Sequence, residues 1–122
     1  MKITCGTDII EIDRIKESIE NIGEKFLNRV YTKKEIEYCE SKKIQKYQHY
    51  AVRFAAKEAV FKALSKELNG RYDITWKNIE VLNDKNGRPY VNLIDVNKKI
   101  TQIDISLSHI KQVAVANVVI II

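Results

Sequence analysis

The hydrophobic period of this chain changes near residue 70, and that change restricts the fold more than any other feature. Before it, apolar residues recur at steps of three and four. Ile9, Ile12, Ile15, Ile19 and Ile22 make one such stripe, and Gly23 is placed to end it. "EKFLNRVY" reads as a second, short helical piece. At Thr32, "TKKE" is a capping box, with Thr32 capping the first turn and Glu35 reaching back to the Thr32 amide, so a helix is expected to about Ser41. A basic stretch, "SKKIQKYQHY", leads into a long helix that contains "RFAAKEAVFKAL" and is expected to stop at Asn69-Gly70. After it the period is two. "NIEVLN" and "PYVNLI" are strands joined by "DKNGR", whose Asn86-Gly87 signals a hairpin. "ITQIDISLSH" alternates, with Ile103, Ile105 and Leu107 on one face and Asp104, Ser106 and Ser108 on the other. "QVAVANVVIII" is the last strand, and "KITC" a first short one stopped by Gly6. Helices first and antiparallel strands second define an α+β fold, with N-terminal helices packed on a small antiparallel sheet.

A chain of 122 residues fits one domain, residues 1–122. Apolar residues at 45% and charged residues at 30% exclude disorder, and one Pro with four Gly leaves no linker-like segment. No apolar signal core opens the chain. The apolar C-terminal run is shorter than the ~20 residues of a membrane helix. A cytoplasmic protein without a membrane partner is expected. Cys5 and Cys39 read as free thiols of a reducing compartment, and the two Cys and two His have no zinc-like spacing. The net charge of +5 favours an acidic partner but does not choose one.

The long helix raises the chemical question. It is nearly apolar, yet it carries Arg53, Lys57, Glu58 and Lys62. At 100° per residue Arg53 and Lys57 share one stripe, and Glu58 and Lys62 share another. A solvated i,i+4 pair is the ordinary meaning of Glu58 and Lys62. The chemical meaning is a carboxylate that helps to hold a divalent cation, with Lys62 facing phosphate oxygens. That meaning needs a second carboxylate, and Asp8, just past Gly6 where a strand is expected to give way to a helix, is the candidate. Its ordinary role would be a helix cap.

Three segments taken together resemble a known family. "GTDIIEIDRI" at 6–15, "RFAAKEAVFKAL" at 53–64 and "ISLSHIKQVAVANVVI" at 105–120 occur in the order and at the separation of the holo-acyl-carrier-protein synthases, small 4'-phosphopantetheinyl transferases of bacterial fatty-acid synthesis. "FLNRVYTKKE" and "DKNGRPYV" also look like family segments. The resemblance implies a phosphopantetheinyl transferase-like fold, and Mg2+-dependent transfer of the phosphopantetheine arm of coenzyme A to a Ser hydroxyl of apo acyl carrier protein, releasing adenosine 3',5'-bisphosphate. It implies metal ligation by Asp8 and Glu58, catalysis by these two and Lys62, and a nucleotide end lined by Ser106, Ser108 and His109. Homotrimers with coenzyme A between subunits are also implied. Either Glu58 or a water it orients then accepts the Ser proton. Arg53, Lys57 and the run Lys42, Lys43 and Lys46 are candidates for the ribose 3'-phosphate, alongside Lys62 on the pyrophosphate.

The acidic carrier protein is expected on a basic face near the N-terminus, with Arg14 matching a family docking position and Lys25 and Arg29 beside it. Relatives often carry a Gly-rich turn after the long helix. Here "LSKELNGRYDITW" has Gly70 alone, so Ser65, Lys66 or Asn69-Gly70 would have to rebuild any contact with coenzyme A. A basic nucleic-acid module is the other class the charge allows. No RNP-like, KH-like or helix-turn-helix pattern supports it, and a nucleic-acid partner is not expected.

Overall fold

A computed structural model of the chain describes residues 1–68, 74–96 and 99–122. Strand β1 (Ile3–Glu11) leads into helices α1 (Ile12–Ile22), α2 (Glu24–Val30), α3 (Lys33–Glu40) and the long α4 (Lys46–Ala63). Strands β2 (Ile79–Asn83), β3 (Pro89–Leu93), β4 (Gln102–His109) and β5 (Val113–Ile121) follow. The fold is α+β and its strand pairs are antiparallel, as the period change requires. They divide into two sheets: a three-stranded one in the order β1-β5-β4 and the β2-β3 hairpin.

Small residues bring α4 onto the larger sheet. β5 turns Ala114, Ala116, Val118 and Ile120 inward, and α4 meets the sheet with Ala55, Ala56, Ala59 and Ala63. Gly6 sits in the middle of β1, opposite Val118. A Cβ at that position would lie 2.0 Å from the Ala59 carbonyl oxygen. Gly6 therefore does not stop the strand as expected. It permits a close backbone approach, the other reason for glycine in a strand.

The same strand corrects the first helical stripe. Pairing with β5 continues through Glu11, so Ile9 lies in β1 and is exposed, and α1 starts at Ile12. α1 buries Ile12, Ile15 and Ile19. It ends at Gly23, whose φ of 76° is open to glycine and whose N–H bonds the Ile19 carbonyl. The Thr32 capping box forms as read. "KYQHY" already belongs to α4, with Tyr50 fully buried against Tyr31 and its hydroxyl donating to Glu40. α4 ends at Ala63, earlier than expected, in turns closed by Ser65 N–H to Lys62 O and Glu67 N–H to Leu64 O. The proposed stop at Asn69-Gly70 lies outside the described residues. The β2-β3 hairpin forms around Gly87 at φ 82°, with the Asp84 carboxylate accepting the Asn86 and Arg88 amides. Among the described residues no helix is long and apolar enough to cross a membrane.

Candidate active site

Asp8 reaches the site from β1. Side chains alternate along a strand, so Gly6, Asp8 and Ile10 point to the α4 side while Thr7 and Ile9 point away. Two residues beyond the close approach of Gly6 to Ala59, the Asp8 carboxylate stands beside α4. Its Oδ1 accepts from Lys62 Nζ at 2.9 Å, and the same ammonium donates to the Thr7 carbonyl at 2.9 Å. Lys62 thus pairs with Asp8 and not with Glu58, so the solvated i,i+4 pair does not form. The helix-cap role of Asp8 also falls, because Asp8 is strand and α1 begins four residues later.

Glu58 and Asp8 line one cavity of about 450 Å3, together with Glu11, Arg14 and Phe54. Burial first, and then the Asp8 charge, push the Glu58 carboxyl above its ordinary pKa, while Trp76 and Lys62 act the other way. Two half-buried carboxylates that repel each other are a favourable place for a cation, and Asp8 already holds one in the Lys62 ammonium. Among the described residues no group of three or more His, Cys, Asp and Glu is placed to hold a metal. The pair suits a hard ion such as Mg2+ that takes one or two protein carboxylates and completes its shell with water and substrate phosphates.

The other stripe of α4 is different. Lys57 is fully buried and cannot meet a ligand, which corrects the expectation that it binds phosphate. Its Nζ donates to Glu35 Oε1 at 2.8 Å, to the Trp76 carbonyl at 2.9 Å and to the Ile79 carbonyl at 2.5 Å. Burial lowers its pKa and Glu35 opposes that shift. Glu35 also accepts the Thr32 and Val81 amides, so the capping carboxylate ties α3, α4 and β2 together.

Arg53 is 2% exposed, donates to Asn83 Oδ1 and lies 4.2 Å over the Tyr38 ring. Its Nε has no hydrogen-bond partner. It lines a second cavity, about 680 Å3, with Lys34, Lys42 and Lys85 around it. His49, one turn earlier, was not expected to matter. Burial first, and then Arg53, Lys42 and His109, lower its pKa to about 4, so these residues converge on one region. Lys42 stacks over Tyr38 at 4.7 Å. Lys43 and Lys46 do not line this cavity, and Lys46 pairs with Glu40 instead. Only the spacing of His49, Arg53 and Lys57 at steps of four pointed to this stripe in the sequence.

The remaining candidates divide by place. His109 ends β4 on the side of His49. Ser106 and Ser108 lie on the opposite face of the sheet from Asp8, exposed beside Asn117 and Val115, so one chain does not bring them to the carboxylates. Arg14 is largely exposed, 3.7 Å from Glu11, at the rim of the carboxylate cavity. Lys25 and Arg29 rim a smaller apolar cavity with Ile22, Phe26, Phe54 and Trp76.

Residues 4–120 match the sequence profile of the 4'-phosphopantetheinyl transferase superfamily, ACPS group. The chain is 49% identical to a holo-[acyl-carrier-protein] synthase of Ruminiclostridium cellulolyticum, over 98% of this chain and 92% of that one. It is 50% identical to one of Thermodesulfovibrio yellowstonii, over 94% and 95%. Its fold is similar to that of a Bacillus anthracis holo-(acyl-carrier-protein) synthase in complex with CoA (3',5'-ADP). That likeness has a TM-score of 0.80 and 33% identity, over 96% of this chain and 94% of that one. The chain belongs to the holo-acyl-carrier-protein synthase family of 4'-phosphopantetheinyl transferases.

Proposed function

We propose that this member of the family transfers the 4'-phosphopantetheine arm of coenzyme A to a Ser hydroxyl of apo acyl carrier protein, in the cytoplasm, and releases adenosine 3',5'-bisphosphate. The observation that carries the reading is the meeting of Asp8 and Glu58, fifty residues apart in sequence, in one cavity, with Lys62 paired to Asp8. In this reading Asp8 and Glu58 hold Mg2+. A bound Mg2+ neutralises pyrophosphate charge and makes the β-phosphorus more electrophilic. Lys62, released from Asp8, donates to a phosphate oxygen as charge builds on the leaving bisphosphate. Glu58, or a water that it orients, accepts the Ser proton.

The nucleotide end is assigned to the cationic stripe. Arg53, Lys42 and His109 take the ribose 3'-phosphate, at the cavity that Arg53 and Lys42 line. On α4, His49 and Glu58 are nine residues and so about 13 Å apart along the axis, on different faces. One chain therefore offers a nucleotide half and a cation half that face apart. A homotrimer with coenzyme A in clefts between neighbours resolves this, and it also gives Ser106 and Ser108 a role, lining the nucleotide from a neighbouring chain. The outward sheet face supplies apolar surface for the contact: Ile3, Ile9 and Val119 are 63%, 68% and 47% exposed. Arg14 and Arg29, which line cavities shared with Glu58, and Lys25 on the neighbouring apolar cavity receive the acidic carrier protein. Charges at an interface rim act mainly on the rate of association.

The test is a mass measurement. Apo acyl carrier protein incubated with this protein, Mg2+ and coenzyme A should gain the mass of one phosphopantetheine. No gain, under conditions where another transferase modifies the same carrier, would remove the enzymatic reading.

A further inference from the structure

Trp76, the only tryptophan of the chain, has no part in the mechanism above. It opens a short 3-10 turn, Trp76–Asn78, between α4 and β2. Its ring stacks on Phe54 at 6.2 Å and meets Phe61 edge-on at 6.3 Å. Phe54, Glu58 and Phe61 follow one another at steps of four and three, so they share a face of α4. A ring resting on the first and the last of these lies across the middle one, which is Glu58. The backbone is fixed as well, because the Trp76 carbonyl accepts from Lys57, the residue before Glu58. Trp76 and Glu58 border the same cavity, with Phe61, Arg29 and Ile74.

The indole Nε1–H is sealed from water and has no hydrogen-bond partner of full geometry. A buried N–H left unpaired costs roughly 1–3 kcal/mol, so a fold that leaves one here calls for a reason. Glu58 is the one carboxylate among the residues that line this cavity, and it lies on the α4 face that the indole covers. Hydrogen bonds at such sites are often long in a ligand-free protein and tighten when the site is filled.

We infer that Trp76 is a positioning residue for Glu58: its indole N–H donates to the Glu58 carboxylate and fixes the orientation in which that carboxylate receives a divalent cation. The inference rests on the reading of Asp8 and Glu58 as the cation ligands. Carboxylates that bind metals are themselves held by hydrogen bonds, and losing such a bond typically costs about 10–100-fold in metal affinity.

The experiment replaces the indole with benzothiophene by growing a tryptophan auxotroph on benzothienylalanine. Because the chain has one tryptophan, only position 76 changes, and ring size is kept while the N–H is lost. Mn2+ binding in the presence of coenzyme A is followed by the electron paramagnetic resonance of free Mn2+, and thermal unfolding is recorded beside it. The expected result is Mn2+ binding about 10–100-fold weaker with an unchanged unfolding midpoint. 4-Fluorotryptophan, which keeps the N–H, should bind Mn2+ like the natural protein. Trp76→Phe, which also lacks the donor, should show the same weakening and serves in place of the isostere should that protein fail to fold. Unchanged Mn2+ affinity in the protein without the N–H would overturn the inference, as would equal weakening with 4-fluorotryptophan. Natural protein that binds no Mn2+ would instead overturn the carboxylate-pair reading, and this inference with it.

Discussion

The two charged stripes of α4 have the same spacing and opposite fates. His49, Arg53 and Lys57 follow at steps of four, and so do Phe54, Glu58 and Lys62. The first stripe turns into the protein toward α3 and β2, where Glu35 waits at 2.8 Å from Lys57. The second turns toward β1 and open cavities, where the only protein charge close enough to pair with Lys62 among the described residues is Asp8. Spacing alone makes them equivalent. What separates them is whether their partners leave room for a ligand. Lys57 has every donor used by protein, whereas Glu58 faces two cavities and is destabilised by its neighbour. A charge satisfied by the fold stabilises the fold. A charge kept uncomfortable is available for chemistry.

The contrast breaks most visibly if the second stripe is cut. Asp8→Ala or Glu58→Ala removes half of the cation site and the electrostatic help it supplies, several kcal/mol of barrier or on the order of 10^3-fold in transfer rate or more. Urea unfolding should show stability retained or slightly raised in Glu58→Ala, because a like-charge repulsion has gone, and little changed in Asp8→Ala, where the exposed Lys62 loses its partner as the repulsion goes. Full activity in either variant would end the assignment of that residue.

Cutting the first stripe should do the reverse. Lys57→Ala strands Glu35 in the core and costs about 3–5 kcal/mol of stability, the usual penalty for breaking a buried pair from one side. Replacing both Lys57 and Glu35 with Met should recover part of that loss, since no charge is left unpaired, although the Thr32 and Val81 amides lose their acceptor. A Lys57→Ala protein as stable as the original would mean that the two stripes differ in nothing that matters.

The sequence carries the difference only in part. The capping box at Thr32 and Glu35 was legible because its two bonds close within one turn. The second duty of Glu35 was not, because its partners Lys57 and Val81 are 22 and 46 residues away. Gly6 shows the same limit. A glycine between a short β-like run and an isoleucine stripe reads as punctuation, and only the Ala59 carbonyl explains why it is glycine. Asp8, Glu58 and Lys62 stood out by spacing and charge, family motifs gave them roles, and the structure adds that β1 delivers Asp8 through that close approach. His49 left only its spacing to Arg53 and Lys57, and Trp76 left no signal. The first is one polar residue at the start of a helix, and the second is an aromatic residue in a short turn whose neighbours come from α4.

The smallest effect tests where the first stripe stops being structural. His49 sits at its open end, edge-on to Tyr38 at 5.5 Å, with Arg53 from its own helix, Lys42 from the turn after α3 and His109 from β4 around it. Its pKa falls from 6.5 to about 4, chiefly by burial and then by these neighbours, Arg53 first. Between those values the unfolded chain takes up a proton that the native protein refuses. Stability is therefore complete above about pH 6.5 and declines as the pH falls toward 4. His49→Gln should show a shallower decline over that window, with little change at pH 7, in unfolding curves measured at both ends. Adenosine 3',5'-bisphosphate should also flatten the decline in the natural protein, because a phosphate among Arg53, Lys42 and His109 offsets the charges that keep His49 neutral. An equal slope with and without the nucleotide would place the 3'-phosphate elsewhere, and the first stripe would then be structural along its whole length.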